Sequence, residues 1–397
     1  DREELDRQIY TTFNNVGALT PADERAQSGV HLRSLLAANK RFAFTLIHKF
    51  NSDEVITERK NIIVISDEAH RTQNGLLAYN MRRAIPNASF IGFTGTPLIM
   101  GEDERTKEIF GDYVSVYDFQ RAVEDNATVP LYYENRGEML HLDNPKINEQ
   151  MRDAVVEEDL DLSQQERLRN LFEKEYPILT AEQRLRQIAR DIVWHFLNRG
   201  YRGKGMLVCI DKITAVRMHG FILEYWQNEL ESFRARKNQL QDEQELIEFE
   251  RELAWREETE INVVVSEEQG EVERFSKWGI DIKPLRAKMK SRDLESDFKN
   301  DEHPFRLVVV CAMWITGFDV QSLSTLYLDK PMKGHTLMQT IARANRVYQE
   351  KSNGLIVDYI ETYKSLKEAL AYYGKQKGDT GAGTDEGGDT GGGGGGE

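Results

Sequence analysis

The stretch NIIVISDEAHRTQNG, Asn61 to Gly75, sets a short apolar run directly before two adjacent carboxylates. Ile62 to Ser66 read as a buried strand, and Asp67, Glu68, Ala69 and His70 follow at once. In open α/β sheets ligands bind beyond the carboxyl ends of the strands, so acids placed there stand where a ligand would be. Asp67 in that position can hold Mg²⁺, usually through a water. Glu68 can orient an attacking water and take its proton. A plainer role also fits Asp67, as the N-cap of a following helix.

Outward from this stretch, similar runs alternate with segments of helical period. They are FAFTLI (42–47), ASFIGF (88–93), GMLVCI (205–210), INVVVS (261–266), RLVVVC (306–311), STLYLD (324–329) and GLIVDY (354–359). Runs of this length, flanked by amphipathic segments, suit a parallel sheet covered on both faces by helices. The expected fold is therefore α/β, with two parallel-sheet domains. Residues 1–135 form the first domain, 136–180 a polar helical connector and 181–373 the second domain. Leu223, Trp226, Leu230, Phe233, Leu240 and Ile247 recur at helical steps amid dense charge. They predict a helical arm over 223–260, either one long helix or a hairpin. The glycine-rich residues 374–397 are expected to be a disordered tail.

Bulk composition narrows the function. The chain has 397 residues and a formal net charge of −15, which argues against a protein held on DNA by overall positive charge. A local basic track remains compatible with it. Cys209 and Cys311 each close an apolar run and read as core residues of a reducing, cytoplasmic setting. No stretch approaches the roughly 18 apolar residues of a membrane span.

Three further motifs follow apolar runs. In SFIGFTGTP (89–97) a strand leads into Thr94, Gly95, Thr96 and Pro97, where hydroxyls can bond to a neighbouring strand end such as that of Glu68 or His70. In RLVVVCAMWITGFDV (306–320) a strand leads into Thr316, Gly317, Phe318 and Asp319, a hydroxyl and small amides that suit a phosphate. In HTLMQTIARANRVY (335–348) helical spacing sets Gln339, Arg343 and Arg346 on one face. Arginines presented from a second domain can stabilise charge on a transferring phosphoryl group. Each motif alone also has a bland reading, as a turn or as surface ion pairs.

Taken in order, DEAH, TGTP, TGFD and QxxxRxxR resemble motifs II, III, V and VI of a superfamily 2 helicase motor with two RecA-like domains. The run LDKPMKGHTLMQTIARANRVYQEKSNGLIVDYI (328–360), together with DREELDRQIY (1–10) and FTLIHKF (44–50), narrows the resemblance. It is to the motor (R) subunit of type I restriction enzymes. The resemblance implies an ATP-dependent translocase of double-stranded DNA with Mg²⁺ and ATP as cofactor and substrate. Its implied partners are the modification (methyltransferase) and specificity subunits. Asp67 would coordinate Mg²⁺ and Glu68 would activate water. Arg343 and Arg346 would meet the phosphates, with Gln339 bridging and Asp319 at the interdomain cleft. His70, Thr94 and Thr96 would couple the ATP site to the DNA track, and Thr45 and Thr316 would touch DNA phosphates.

A Walker A loop, G-x-x-x-x-G-K-[ST], is not found. The nearest run, Gly200 to Gly205, lacks a hydroxyl residue after Lys204 and precedes a strand instead of following one. The expectation is that the chain begins after the nuclease domain and phosphate loop of such a subunit, and that by itself it does not hydrolyse ATP. Two alternatives stand beside this one. One is another superfamily 2 DNA helicase, and the other a catalytically silent, motor-like DNA clamp.

Overall fold

The computed structural model describes residues 3–20, 24–38, 40–69, 75–94, 110–117, 119–137, 176–315, 318–332, 334–360 and 367. Every apolar run named above contains a strand. Two parallel pairs lie in the first part: β1 (Glu24–Arg25) with β2 (Ala43–Phe44), and β3 (Ile63–Ser66) with β4 (Ser89–Gly92). The main sheet comprises β5 (Leu131–Asn135), β6 (Lys204–Cys209), β7 (Glu260–Val264), β8 (Phe305–Val310), β9 (Leu323–Asp329) and β10 (Gly354–Asp358). It has six strands in the order β5-β10-β9-β6-β8-β7, all parallel, so the α/β class is as expected.

Two apolar layers sandwich this sheet. Leu185, Ile188, Ile192 and Phe196 of the helix Glu182–Asn198 pack on one face with Met218, Ile222 and Trp226 of the helix Lys212–Ala235. Phe298, Trp314, Phe318, Leu337 and Ile341 cover the other. β6 and β9 are buried along their whole length, which is why their sequences show no alternation. Asp211 starts the helix Lys212–Ala235 by accepting the Thr214 N–H at 2.7 Å.

The first strand pair behaves differently. Val64 and Phe90 pack towards Leu32, Leu35 and Met81, but Ile63 and Ile65 are 66% and 63% exposed, and Ile91 and Phe93 are also exposed. The reading of residues 62–66 as a fully buried strand is thus corrected. Periodicity alone cannot tell a run buried on both faces from one buried on a single face.

β5 lies within the 1–135 segment, yet it pairs with β10 from Leu131↔Gly354 to Asn135↔Asp358 as the edge of the main sheet. Arg136 clamps it with a two-pronged ion pair, Nε and Nη2 each 2.6 Å from the Asp191 carboxylate on the helix Glu182–Asn198. That carboxylate keeps the guanidinium charged, with its pKa raised despite burial. Most of the connector at 136–180 and the whole 374–397 tail lie outside the described residues.

The arm is a hairpin. The helix Lys212–Ala235 runs into a short 3₁₀ turn, Arg236–Gln239, and the chain returns as the helix Glu243–Glu258, capped by Asp242 on the Glu245 N–H at 2.9 Å. Phe233 and Phe249 stack at 4.4 Å across the hairpin, and Trp226 Nε1 donates to the Arg256 carbonyl at 3.2 Å. Leu223 and Ile247, assigned to the seam by spacing, are exposed, and Phe249 takes the inner position.

Two buried histidines give the fold a pH response. His219 donates from Nε2 to the Ile261 carbonyl at 3.1 Å, and His195 Nδ1 lies 2.8 Å from the Tyr327 hydroxyl. Burial lowers both pKa values below the ordinary one. The unfolded chain takes up a proton near pH 6.5 where the folded chain does not, so stability is present above that range and is lost as pH falls through it. The urea midpoint should drop between pH 7.5 and 5.5, and should drop less in His219→Gln. Equal drops in both proteins would exclude His219 as a source.

Candidate functional site

The strand end that opened the sequence is tied to its neighbour. Phe93 N–H donates to Ser66 O at 2.8 Å, and Ala69 N–H donates to Phe93 O at 2.9 Å. A side chain on Gly92 would come within 2.9 Å of the Ala69 Cβ, so glycine there lets the loop after β3 fold over β4. Inside that loop Asp67 Oδ1 accepts the Glu68 N–H at 2.9 Å, and the aspartate is exposed. Glu68 has φ +49°, the left-handed region that a non-glycine residue occupies at a cost of order 1 kcal/mol or more. This backbone turn brings Glu68 to Gln339: Nε2 of the buried glutamine is 3.5 Å from Glu68 Oε2, at the outer limit of a hydrogen bond. The contact joins residues 271 positions apart and brings the DEAH strand end to the helix Gly334–Ile341 of the second part.

The two arginines do not share a helix face with Gln339, contrary to the spacing. The helix ends at Ile341, and Arg343 and Ala344 make tight turns onto Thr340 O and Ile341 O at 3.2 and 3.0 Å. The chain then pairs with the entry to β5, through Val129 N–H on Asn345 O at 2.7 Å and a Thr128–Arg346 bridge. That backbone pairing pulls residues 345 and 346 out of helical register. Arg343 Nε donates to Ile315 O at 2.9 Å and its Nη1 donates to Phe318 O. Arg346 Nε lies 3.2 Å from Asp319 Oδ1 in a half-exposed ion pair. Asp319 Oδ1 is itself buried and makes no hydrogen bond among the described residues.

The remaining predicted residues divide. Thr94 is half-buried one residue beyond Phe93, beside the loop that carries Asp67 and Glu68. Thr45 stands apart from them, between β2 and the 3₁₀ turn Ile47–Lys49, with its hydroxyl on Leu46 O at 3.2 Å. His70, Thr96 and Thr316 lie outside the described residues. Sequence reasoning passed over two buried lysines, Lys330 and Lys351, whose amines donate into the β8–β9 connection. A signal for Lys330 was present: Asp329-Lys330 is a charged pair at the carboxyl end of an apolar strand, as Asp67-Glu68 is.

Comparison with known proteins places the whole chain beside one group of enzymes. Residues 1–166 match the SWI2/SNF2 ATPase family, and residues 231–361 match domain 3 of type I restriction enzyme subunit R. The HindI endonuclease subunit of a type I restriction enzyme from Haemophilus influenzae is 35% identical over 94% of this chain. A Methanocaldococcus jannaschii protein named as the type I MjaIXP endonuclease subunit is 36% identical over 95% of it.

The chain is a homologue of type I restriction enzyme endonuclease subunits.

It spans 33% and 34% of the lengths of those two relatives, about a third. A fragment structure assigned to the HsdR subunit of a type I restriction enzyme from Vibrio vulnificus YJ016 shares the fold. Its TM-score is 0.50 at 15% identity, over 87% of this chain and 51% of that one. Among the described residues no helix is long and apolar enough to cross a membrane.

Proposed function

We propose that this R-subunit homologue is the motor portion of a type I restriction endonuclease, coupling ATP hydrolysis to translocation along double-stranded DNA before cleavage. The observation that carries the reading is the approach of Glu68 to Gln339, which joins an acidic strand end to the arginine-bearing segment of the second part. Two adjacent carboxylates, oxygen donors only, suit a hard cation that retains waters and phosphate ligands. Asp67, exposed at the strand end, is the residue to hold Mg²⁺, and the bound ion would neutralise charge on the phosphates of ATP. Glu68 takes the proton of the attacking water, with Gln339 keeping its carboxylate in place. Arg343 and Arg346 serve the phosphates, and Asp319 holds Arg346 at the interdomain cleft until then. His70, Thr94 and Thr96 pass the nucleotide state to the DNA track, where Thr45 and Thr316 meet phosphates.

Hydroxyls, backbone amides and a few arginines are enough for such contacts, so the acidic net charge is no obstacle. The full-length subunit is proposed to work with modification and specificity subunits. The test is phosphate release. The full-length subunit in its complex should hydrolyse ATP with Mg²⁺ and duplex DNA, and lose this with EDTA, whereas residues 1–397 alone should not. Robust DNA-dependent turnover by this chain alone, or none by the full complex, would overturn the reading.

A further inference from the structure

The segment that carries Arg346 is gripped on its backbone from two sides. On one side the helix Phe119–Glu124 ends at Asn126, whose φ of +56° turns the chain back. The Ala127 and Thr128 N–H groups then both donate to Ala122 O, at 2.8 and 3.1 Å. This closed turn delivers the next residues to the chain beyond the helix Gly334–Ile341. Val129 N–H donates to Asn345 O at 2.7 Å, and Thr128 bridges Arg346 in antiparallel fashion. On the other side Gly354, the first residue of β10, donates to Pro130 O at 2.9 Å. It lies so close to Ala344 O that a Cβ there would collide with that carbonyl.

The grip falls on the main chain and leaves the arginine head outside it. Val129, Ala344 and Asn345 are buried, whereas the Arg346 side chain is 45% exposed and reaches Asp319 at 3.2 Å. The sheet itself does not require the bond from Val129. The β5–β10 register begins at Leu131↔Gly354, so Val129 stands two residues outside it. A buried hydrogen bond beyond the end of a ladder, made to the residue before a half-exposed arginine, fixes where that side chain starts. The start matters, because a misplacement of about 1 Å in a group that meets reacting atoms can cost on the order of 10²-fold in rate.

We propose that Val129 is a positioning residue: its N–H holds Asn345, and so sets Arg346 where the guanidinium can pass from Asp319 to a phosphoryl group in transfer. The inference rests on the phosphate role given to Arg346 above. It makes the entry to β5 part of the phosphate site without any contact with the nucleotide. A bond that served the fold alone would affect ground-state and transition-state ligands alike.

The test uses the full-length subunit in its complex with duplex DNA and Mg²⁺. Affinity for a non-hydrolysable ATP analogue is compared with affinity for ADP plus aluminium fluoride, which mimics a phosphoryl group in transfer. In Val129→Pro the ring removes the donor and crowds Asn345 O. This variant should bind the ATP analogue within about threefold of wild type, and the aluminium fluoride complex about tenfold or more weakly. Val129→Ala keeps the N–H and should stay within about threefold for both ligands. Added to Arg346→Ala, Val129→Pro should weaken the aluminium fluoride complex by no more than about twofold further, because the group it positions is gone. Gly354→Ala pushes on Ala344 from the other side; it should show the same split, and decides the matter if Val129→Pro does not fold. Equal weakening of both ligands, no weakening of either, a full further loss in the Arg346→Ala background, or unfolding of both variants would overturn the proposal. If Arg346→Ala itself binds the aluminium fluoride complex as wild type does, the phosphate role of Arg346 fails, and this inference with it.

Discussion

Glu68→Gln in the full-length subunit should lower ATP turnover by about 10²- to 10⁴-fold, the usual contribution of a positioned general base, and leave ATP binding intact. The substitution keeps the length of the side chain and its strained backbone at φ +49°. It also leaves an oxygen that can accept from Gln339 Nε2, so the 3.5 Å approach survives. What it removes is the ability to take a proton. Steady-state phosphate release and equilibrium binding of ATP separate the two effects. Unchanged turnover would remove Glu68 from the role proposed for it, and joint loss of binding and turnover would assign it to nucleotide binding. Asp67→Asn makes a useful contrast, because its expected defect is in Mg²⁺ dependence.

Arg136→Met should cost about 3–5 kcal/mol of stability, the usual result of leaving one member of a buried ion pair without its partner. Arg136 and Asp191 are 8% and 9% exposed at the side chain and share two bonds of 2.6 Å. Removing the arginine strands Asp191, which among the described residues keeps only the Tyr359 hydroxyl, at 2.7 Å, as a side-chain partner. The urea midpoint of Arg136→Met should fall steeply, and Arg136→Met combined with Asp191→Leu should lose less than the single substitution. A double variant less stable than Arg136→Met would show that the pair itself, and not the orphaned charge, holds the edge strand. Since the pair fastens β5 to the main sheet, the same variant should weaken the Thr128–Arg346 pairing that precedes the strand.

Legibility in the sequence followed burial. β6, β8 and β9 lie deep in the main sheet, so an unbroken apolar run is the direct imprint of their surroundings, and each was found within a residue or two. β3 is apolar as well, but only one of its faces is covered among the described residues, and a run of isoleucine and valine carries no mark of that difference. The arm was legible as helix because its apolar residues recur at helical steps. Its turn is set by the Asp242 cap and the Phe233–Phe249 stack, a pairing across 16 residues that no local window contains.

The chemistry was legible as a list and not as an arrangement. Asp67 and Glu68 were singled out as candidates by their place after an apolar run, and Gln339, Arg343 and Arg346 by helical spacing and the family resemblance. Helical spacing then misplaced the arginines, since hydrogen bonds from residues 128 and 129 draw Asn345 and Arg346 out of the helix. By itself the sequence determined the fold class, every described strand except β1 and β5, the helical arm and the identity of the charged groups at strand ends, because each depends on local composition or period. Tertiary structure alone decided that β5 joins the second sheet, that Arg343 rests on the β8–β9 connection, that Glu68 meets Gln339, and that Lys330 and Lys351 are buried. These are contacts between distant segments, and their energies depend on which backbone groups the fold brings within hydrogen-bond reach.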